Sequence, residues 1–292
     1  MGQHAQKRTF PVNWKNLFSQ PALARLWRPQ PHWQVIGQPN ERQTFASACH
    51  CLQLKGQAIS ADPLSSLIRT QGAAAAYYVK RYQRRGKGLR RWLGRSRAEG
   101  EWQNLRYFDQ LGIPTPPLVA YGWQRPGWLG GRLPFGRGQA VLVTAEVVGA
   151  RDLASLARQQ PQLFRQRAWL EGVLRQVADY SRQLHHQGFV HWDLKWRNIL
   201  LVDGDSATGL GPATGPRVLF FDCPLGHHPF GWLRQRGADK DLACLDKLGR
   251  RHLSRSRRLR FYLHYRKIER LDAAGKQQIG RVLAFFHDEK ES

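Results

Sequence analysis

The chain has 292 residues, and its 46 Lys and Arg against 21 Asp and Glu give a formal net charge of +25. Hydrophobic residues make up 41% of the sequence and aromatic residues 11%, which is enough for a sizeable core and excludes a disordered basic tail. The length suits one two-lobed domain or two small ones. The positive surplus predicts an anionic partner, but nucleic acid, an acidic membrane surface and a phosphorylated substrate all satisfy that requirement.

The sequence shows neither a membrane span nor a disulfide framework. No run approaches the ~18 consecutive apolar residues that cross a bilayer, and the polar start lacks the apolar core of a secretory signal. We therefore expect the protein to be kept in a reducing cytoplasm. Cys49 and Cys51 are close together, but no second pair has zinc spacing, so we interpret the four cysteines as small core residues.

The first half of the chain is predicted to be rich in strands. Residues 1–42 contain many Pro, Gln and Trp without a sustained period, which indicates an N-terminal extension. A helix is predicted from about Ser96 to Leu111, where Gly112 and Pro114 would stop it. The strand signals occur, in chain order, at Cys49–Leu54, at Leu64–Thr70, along AAAAYYVKRY, at Leu118–Trp123 and at Ala140–Val147.

The second half is predicted to be mainly helical. Asp152 can cap a short helix, and residues 162–186 have the spacing of a long amphipathic helix. Two short strands flank the turn-rich insertion GDSATGLGPATGPR, and residues 238–287 are again helical. A strand-rich half before a helix-rich half indicates two lobes with a cleft between them. We place the N-terminal lobe at residues 43–147 and the C-terminal lobe at residues 148–292.

The segment GFVHWDLKWRNILL has the spacing HxDxKxxN, between the long helix and a short strand. Phosphoryl transfer needs a carboxylate that accepts the proton of the attacking hydroxyl, a cation that stabilises the moving phosphoryl group, and an oxygen ligand for the metal. Asp193 fits the first role, Lys195 the second and Asn198 the third. A turn-closing role would explain any one of these residues alone, but the ordered set favours chemistry.

Three further residues complete this predicted site. Asp222 ends the apolar strand VLFFD, where a carboxylate can reach the Mg²⁺ that bridges the phosphates of ATP. Lys80 ends AYYVK, the position of a lysine that holds the α and β phosphates. Its partner should come from the next helix. There we prefer Glu101 to Glu99, because Glu101 shares a face with the apolar residues of that helix.

These motifs and the words around them resemble the protein-kinase-like superfamily, and within it the lipopolysaccharide core kinases (Kdo/WaaP and InaA-like proteins), over about residues 44–285. The words are YYVKRY, EWQNLRYFDQLGIPTP, VTAEVVGARDL, HWDLKWRNILL, FFDCPLG and KDLACLDKL. The resemblance implies an α+β, bilobal protein-kinase-like fold, with an antiparallel sheet and one main helix in the N-terminal lobe. It implies an ATP- and Mg²⁺-dependent kinase of heptose or Kdo sugars, peripheral at the cytoplasmic face of the inner membrane. It also implies that Glu146 and Val147 contact adenine through backbone groups and that Asp241 is an anchoring aspartate.

The sequence departs from the protein-kinase pattern in several places. No GxGxxG precedes Lys80, and Gly72 is too close to it, so the phosphate-covering loop is expected near Ser60–Ser66. Trp192 replaces the arginine that receives an activation-loop phosphate in many protein kinases, so we expect that switch to be absent. Cys223 and Pro224 follow Asp222 and no APE comes after them, which favours a small or glycolipid acceptor.

The charge outside these motifs leaves alternatives open. Arginine-rich stretches at residues 84–97 and 249–267 suit anionic lipid or the phosphate-bearing acceptor, but equally a solvated face. Trp14, Trp27 and Trp33 form either an interfacial anchor or packing on a lobe. No recognition motif supports specific nucleic-acid binding, and nothing identifies a protein partner. The alternatives are a kinase for another small molecule or for protein hydroxyls, and a non-catalytic pseudokinase scaffold in envelope biogenesis.

Overall fold

A computed structural model of the chain describes residues 33–72, 75–82, 96–124, 128–129, 133–134, 139–202 and 215–286. The extension up to residue 32, most of the first arginine-rich stretch and most of the predicted turn-rich insertion lie outside these residues. None of the helices in the described ranges is both long enough and apolar enough to cross a bilayer.

The N-terminal part is built on a six-stranded antiparallel sheet, ordered β1-β5-β8-β4-β3-β2. Its strands are β1 (Trp33–Val35), β2 (Gln57–Ala61), β3 (Ser65–Gln71), β4 (Ala76–Tyr82), β5 (Leu118–Gln124) and β8 (Gln139–Ala145). Two short strands, β6 (Trp128–Leu129) and β7 (Leu133–Pro134), pair with each other. Its helices are α1 (Pro39–Thr44), α2 (Ala48–Gln53) and α3 (Arg97–Gln110). The central position of β4 places Lys80 in the middle of the sheet.

Opposite faces of the sheet are covered by different helices. Trp102 and Phe108 of α3 belong to one apolar cluster, together with Leu142 of β8. Cys51 of α2 belongs to another, with Val79 of β4. Successive residues of a strand point to opposite faces. Lys80 therefore lies on the opposite side of β4 from Val79, towards α3.

The predicted strand at Cys49–Leu54 is wrong, because this segment forms helix α2. Ser47 caps it by accepting a hydrogen bond from the backbone N–H of His50 at 3.1 Å. Ala48 and Cys51 are buried at i and i+3, whereas Cys49 is exposed. The interpretation of every cysteine as a core residue is therefore also wrong for Cys49, since it lies on the outer side of this helix; all four cysteines are free.

The end of the predicted extension joins the main sheet. Trp33–Val35 pairs with β5 as an edge strand, and the indole N–H of Trp33 donates to the backbone oxygen of Phe45 at 2.8 Å. The other strand predictions match β3, β4, β5 and β8, and the predicted helix at Ser96–Leu111 is α3. Ser96 caps this helix by accepting from the N–H of Glu99, and Gly112 follows its end with a φ of 73°.

The C-terminal part is mainly helical, as predicted. Its helices are α4 (Leu153–Gln159), α5 (Arg167–His186), α6 (Trp232–His252), α7 (Arg255–Arg266) and α8 (Ala273–Ala284). In the described part of the chain, 3-10 turns occur at Pro161–Arg165 and Trp196–Asn198, and a small sheet is formed by β9 (Arg151–Asp152), β10 (Ile199–Val202) and β11 (Arg217–Phe220). Asp152 caps α4, as predicted, by accepting from the N–H of Ser155 at 2.8 Å. The predicted α+β class with a sheet-rich half and a helix-rich half is confirmed.

Candidate active site

Lys80 meets two carboxylates at the junction of the two halves. Its Nζ lies 2.8 Å from Oε2 of Glu101 on α3 and 2.6 Å from Oδ1 of Asp222, which follows β11. Glu99 points elsewhere and accepts from the side chain of Gln103 at 3.2 Å. The fold thus brings together three of the predicted site residues from three separate parts of the chain, and Glu101 is the glutamate that pairs with Lys80.

Burial and mutual charge set the protonation states of this cluster. Glu101 is buried, and loss of solvent raises its pKa against the opposing charge of Lys80. Burial also acts to lower the pKa of Lys80, but the charge of Glu101 and its other neighbours outweighs burial and holds that pKa well above its usual value. For Asp222, burial acts upward, yet the charge and hydrogen bond of Lys80 lower the pKa overall. Lys80 is therefore an ammonium and Asp222 a carboxylate at neutral pH.

Tyr82, two residues along β4 from Lys80, provides a second donor to Glu101. Its hydroxyl donates to Oε2 of Glu101, and Nζ of Lys80 lies 5.4 Å from the centre of its ring. Because residues i and i+2 of a strand share a face, Tyr82 reaches the same carboxylate as Lys80. Sequence reasoning missed this residue, although the YVKRY alternation carried the signal.

The loop that contains Asp193 is held in place by a hydrogen bond to Asp241 of α6. The backbone N–H of His191 donates to Oδ2 of Asp241 at 2.7 Å, and the Asp241 side chain is fully buried. His185 of α5 contacts the same oxygen through Nε2 at 3.2 Å and the hydroxyl of Tyr265 through Nδ1 at 2.9 Å. The predicted anchoring position of Asp241 is confirmed, and it is supported by residues of two further helices.

Asp193, Lys195 and Asn198 lie together in this loop. Nζ of Lys195 is 2.5 Å from Oδ1 of Asp193, and Nδ2 of Asn198 is 2.8 Å from the backbone oxygen of Asp193. The side chains of Asp193 and Lys195 are 27% and 41% exposed, whereas Asn198 is buried. The carboxylate and the ammonium can therefore meet a substrate from solvent, while the amide is held by the fold.

Asn198 and Asp222 come from neighbouring segments. The backbone N–H of Phe221 donates to the backbone oxygen of Asn198 at 3.2 Å, and Asp222 is the next residue after Phe221. Among the described residues there is no group of three or more His, Cys, Asp or Glu side chains that could hold a metal ion. One carboxylate and one amide oxygen still fit Mg²⁺, which is commonly held by one or two protein ligands together with substrate phosphates and water.

The segment after Asp222 is bonded to α3 through Asn104, a residue that the sequence analysis did not single out. Nδ2 of Asn104 lies 2.6 Å from the backbone oxygen of Cys223 and 2.8 Å from that of Gly226. A side chain at position 226 would collide with Sγ of Cys223 and the ring of Phe189, which explains the glycine. Asn104 is one helical turn from Glu101, and that spacing was the available signal.

Trp192 stands where many protein kinases have an arginine that binds the activation-loop phosphate. Its ring stacks on His227 with centroids 5.5 Å apart and an interplanar angle of 18°, and Nζ of Lys240 lies 5.6 Å from its centre. The backbone groups of Val190 and His227 pair at 2.9 and 3.1 Å. Ring stacking therefore joins this loop to the segment after Asp222, and a cation–π contact joins it to α6, where many protein kinases have a phosphate-dependent contact.

The turn between β2 and β3, in the region expected to cover phosphate, is closed by Asp62. Oδ1 of Asp62 accepts from the N–H groups of Leu64 and Ser65 at 2.7 and 2.9 Å, and Oδ2 accepts from the Ser65 hydroxyl at 3.0 Å. The hydrogen bond from Leu64 is the main cause that lowers the pKa of Asp62. Donors that a glycine loop would offer to phosphate are here used within the turn. Gly72 lies between β3 and β4, as predicted.

Glu146 and Val147 lie in the connection that leaves β8. The N–H of Glu146 donates to the oxygen of Ala76 at 2.9 Å, and the oxygen of Val147 accepts from Ala150 at 3.0 Å. The Glu146 carboxylate forms two hydrogen bonds with the Arg69 guanidinium, at 2.8 and 2.6 Å. The Glu146 side chain is therefore engaged with the sheet.

A sheet lobe and a helical lobe that meet at a Lys–Glu–Asp cluster, beside an anchored HxDxKxxN loop, define a protein-kinase-like architecture. The lipopolysaccharide kinase (Kdo/WaaP) family profile matches residues 27–265, and the chain belongs to that family. Among solved structures, "WaaP in complex with acyl carrier protein" is similar, with a TM-score of 0.62 and 22% identity, covering 89% of this chain and 98% of that one. No curated protein sequence matches the chain. Membership of a kinase family implies phosphotransferase activity with ATP.

Proposed function

We propose that this protein transfers the γ-phosphoryl group of ATP to a sugar hydroxyl, on heptose or Kdo, of the lipopolysaccharide inner core. The observation that carries the proposal is the contact of Lys80 with both Glu101 and Asp222 in a chain of the lipopolysaccharide kinase family. Lys80 would hold the α and β phosphates, and Glu101 would fix the Lys80 side chain. Adenine would contact the backbone of Glu146 and Val147.

The reaction would be centred on Asp193. The acceptor oxygen attacks the γ-phosphorus, its proton passes to the Asp193 carboxylate, and the bond to the bridging oxygen of ADP breaks. Lys195, now 2.5 Å from Asp193, has an exposed ammonium that can turn towards the moving phosphoryl group. Asp222 and Asn198 would hold Mg²⁺. When bound, Mg²⁺ neutralises charge on the phosphates and orients them.

The short stretch of chain between Asp222 and α6 supports the proposed acceptor class. This helix begins at Trp232, so the segment is short, and Asn104 and Trp192 hold it against the rest of the protein. A protein substrate needs a larger platform than this segment offers. The short segment supports a small or glycolipid acceptor, and the family supports the sugars of the lipopolysaccharide core.

The decisive experiment measures transfer of label from ATP to intact and delipidated core oligosaccharide. Wild type is compared with Asp193→Ala and with a matched control, Asp109→Ala, which removes an exposed carboxylate at the far end of α3. We expect transfer by wild type and control, and a loss of at least about 10²-fold in Asp193→Ala. Absence of Asp193-dependent transfer to any core acceptor would refute the proposal. Mass spectrometry of the core from cells with and without the gene identifies the hydroxyl.

The alternatives have separate signatures. A kinase for another small molecule or for protein would show Asp193-dependent transfer only in a wider acceptor panel. A pseudokinase scaffold would show no Mg·ATP-dependent increase in melting temperature, whereas we expect an increase that Asp222→Asn and Asn198→Ala both reduce. That thermal measurement tests the Mg²⁺ ligands without relying on turnover.

The location and a protein partner are further parts of the proposal. A kinase of lipid-linked sugar would work peripherally at the cytoplasmic face of the inner membrane, and the net charge of +25 suits an anionic surface. The similar WaaP structure contains an acyl carrier protein. We would therefore test whether an acyl carrier protein purifies with this chain.

A further inference from the structure

The segment before α6 ends in a tip of exposed aromatic side chains. Phe230 is 87% exposed and Trp232 is 72% exposed, with Gly231 between them at a φ of 54°. Leu233, at 39% exposure, extends the apolar surface, and its N–H donates to the oxygen of Phe230 at 3.2 Å. Residues 230–233, called the aromatic tip below, thus form one compact turn with large apolar groups in water. Contiguous exposed apolar side chains mark candidate interaction sites.

The charge next to the aromatic tip is positive. Residues 224–238 contain Arg234 and Arg236 but no Asp or Glu. The first acidic residue on α6, Asp239, is buried and bonded to Nε of Arg281 at 2.7 Å and to Nε2 of Gln278 at 2.8 Å. Its carboxylate therefore does not offset the two arginines at the surface. Exposed Trp and Phe with neighbouring Arg are the composition of segments that sit in the interface of an anionic bilayer.

We propose that the aromatic tip docks on an anionic lipid bilayer. Phe230 and Trp232 would enter the boundary between headgroups and acyl chains, and Arg234 and Arg236 would add positive charge beside them; Cζ of Arg236 lies 5.1 Å from the centre of the Phe285 ring. The tip is an alternative to the basic clusters and N-terminal tryptophans that the sequence suggested for membrane contact. The complementary charge favours a bilayer over a neutral apolar protein surface.

Docking at this place would have a consequence for the acceptor. The segment that carries the tip is bonded to the Asp193 loop through the backbone pair of Val190 and His227. A bilayer bound at the tip would therefore contact a segment that is bonded to the Asp193 loop, the loop proposed to receive a membrane-linked sugar. This consequence rests on the proposed function, whereas the lipid binding itself does not.

The test is sedimentation of the full chain with vesicles of phosphatidylcholine alone or mixed with phosphatidylglycerol. The variant Phe230→Ser/Trp232→Ser removes the tip, and Leu259→Ser/Leu283→Ser removes two other exposed apolar side chains. Neither pair changes the net charge, so general attraction of a basic protein to the vesicles is the same in all samples. We expect the partition coefficient on mixed vesicles to fall about ten-fold or more for the tip variant and to be unchanged for the control.

Two additional measurements distinguish loss of lipid binding from misfolding. Melting temperatures should match the wild type, since the replaced side chains are exposed. Trp232→Phe should retain binding but show less energy transfer from tryptophan to dansyl-labelled lipid than wild type. Binding of the tip variant equal to wild type would overturn the proposal. So would unchanged energy transfer in Trp232→Phe.

Activity separates failure of docking from failure of the proposed function. Transfer to delipidated oligosaccharide should be the same for the tip variant and wild type, while the KM for acceptor embedded in vesicles should rise. If no transfer occurs with any acceptor, the proposed function fails and the sedimentation result still decides whether the tip binds lipid.

Discussion

The side-chain amide of Asn104 lies 2.6 Å from the backbone oxygen of Cys223, so α3 is bonded directly to the residue that follows Asp222. The same helix presents Glu101 to Lys80 at 2.8 Å. Displacement of the segment after Asp222 would therefore break a buried hydrogen bond to the helix that holds the Lys80 partner. Helix α3 and the segment after Asp222, on the two sides of the candidate phosphate site, are thus joined by a direct hydrogen bond and not by a phosphorylated residue.

Replacement of Asn104 by Ala should lower kcat by about ten-fold or more and destabilise the protein by about 1–3 kcal/mol. The physical reason is that the buried backbone oxygens of Cys223 and Gly226 lose the hydrogen bonds that the Asn104 amide donates. Steady-state kinetics and urea unfolding measure the two effects. Gln110→Ala, an exposed change on the same helix, is the control. A stability loss with unaltered kcat would show that Asn104 is purely structural.

Removal of Lys80 should be costly mainly because it leaves carboxylates without a cation. We expect Lys80→Met to lower the free energy of unfolding by about 3–5 kcal/mol, since Glu101 is buried. Adding Glu101→Gln should restore part of this stability but none of the activity. Urea unfolding of wild type, both single variants and the double variant measures the coupling. Additive losses would contradict the ion pair as the source of the effect.

The pH dependence of Lys80→Met provides an independent check. Burial already raises the pKa of Glu101, and loss of the lysine removes the main opposing charge. A carboxyl with a raised pKa in the folded state stabilises the fold below its unfolded pKa, and that stability is lost as pH rises through the folded pKa. The deficit of Lys80→Met relative to wild type should therefore be smaller at about pH 5 than at about pH 7.5.

His191 should make the protein less stable in mild acid. Its imidazole is buried, neither ring nitrogen has a partner among the described residues, and burial lowers its pKa despite the charge of Asp241. A depressed histidine pKa stabilises the fold above the unfolded value, and this stability is lost as pH falls through the window below it, at most about 1.4 kcal/mol per pH unit.

His191→Phe tests this dependence and keeps an aromatic ring beside Phe108, whose centroid is 6.0 Å from that of His191. Urea unfolding between about pH 7.5 and about pH 5.5 should show a smaller loss of stability in the variant than in wild type. A residual loss is expected from His228, whose pKa is also lowered by burial. Equal losses in both proteins would exclude His191 as the source.

Trp192 should connect the Asp193 loop to His227 and Lys240 at all times, without control by phosphorylation. Trp192→Ala removes the ring between His227 and Lys240 and should cost about 1–3 kcal/mol together with part of the turnover, whereas Trp192→Phe should retain most of both. Thermal unfolding and kinetics measure these effects. Phosphatase treatment of the wild type should leave kcat unchanged, and a drop after treatment would contradict a switch-free segment.

Much of the fold could be predicted because local signals agreed with tertiary structure. The short apolar runs of β4 and β8 and the capping of α3 by Ser96 and of α4 by Asp152 all coincide with the observed elements. The segment at Cys49–Leu54 was mispredicted because its short apolar pattern fits a strand as well as one helical turn. The cap at Ser47 and the burial of Cys51 against the sheet are what favour the helix.

The candidate site was less accessible to sequence reasoning wherever a side chain reaches the backbone of a distant segment. Motif spacing pointed to Lys80, Glu101 and Asp222, and the fold brings them together. Asn104 belongs to no motif, and its acceptors at Cys223 and Gly226 are more than a hundred positions away in the chain. The stacking partner of Trp192 was also hidden, since His227 becomes its neighbour only through the backbone pair with Val190.

The position of β2 at the free edge of the sheet has a dynamic consequence. All five of its residues are exposed, and among the described residues it pairs with β3 alone, whereas β4 is paired on both sides. Amide protons of β2 should exchange with solvent deuterium well before those of β4, because edge strands open in small local fluctuations. Local opening of β2 would therefore leave the pairing of β4, and with it the position of Lys80, unchanged.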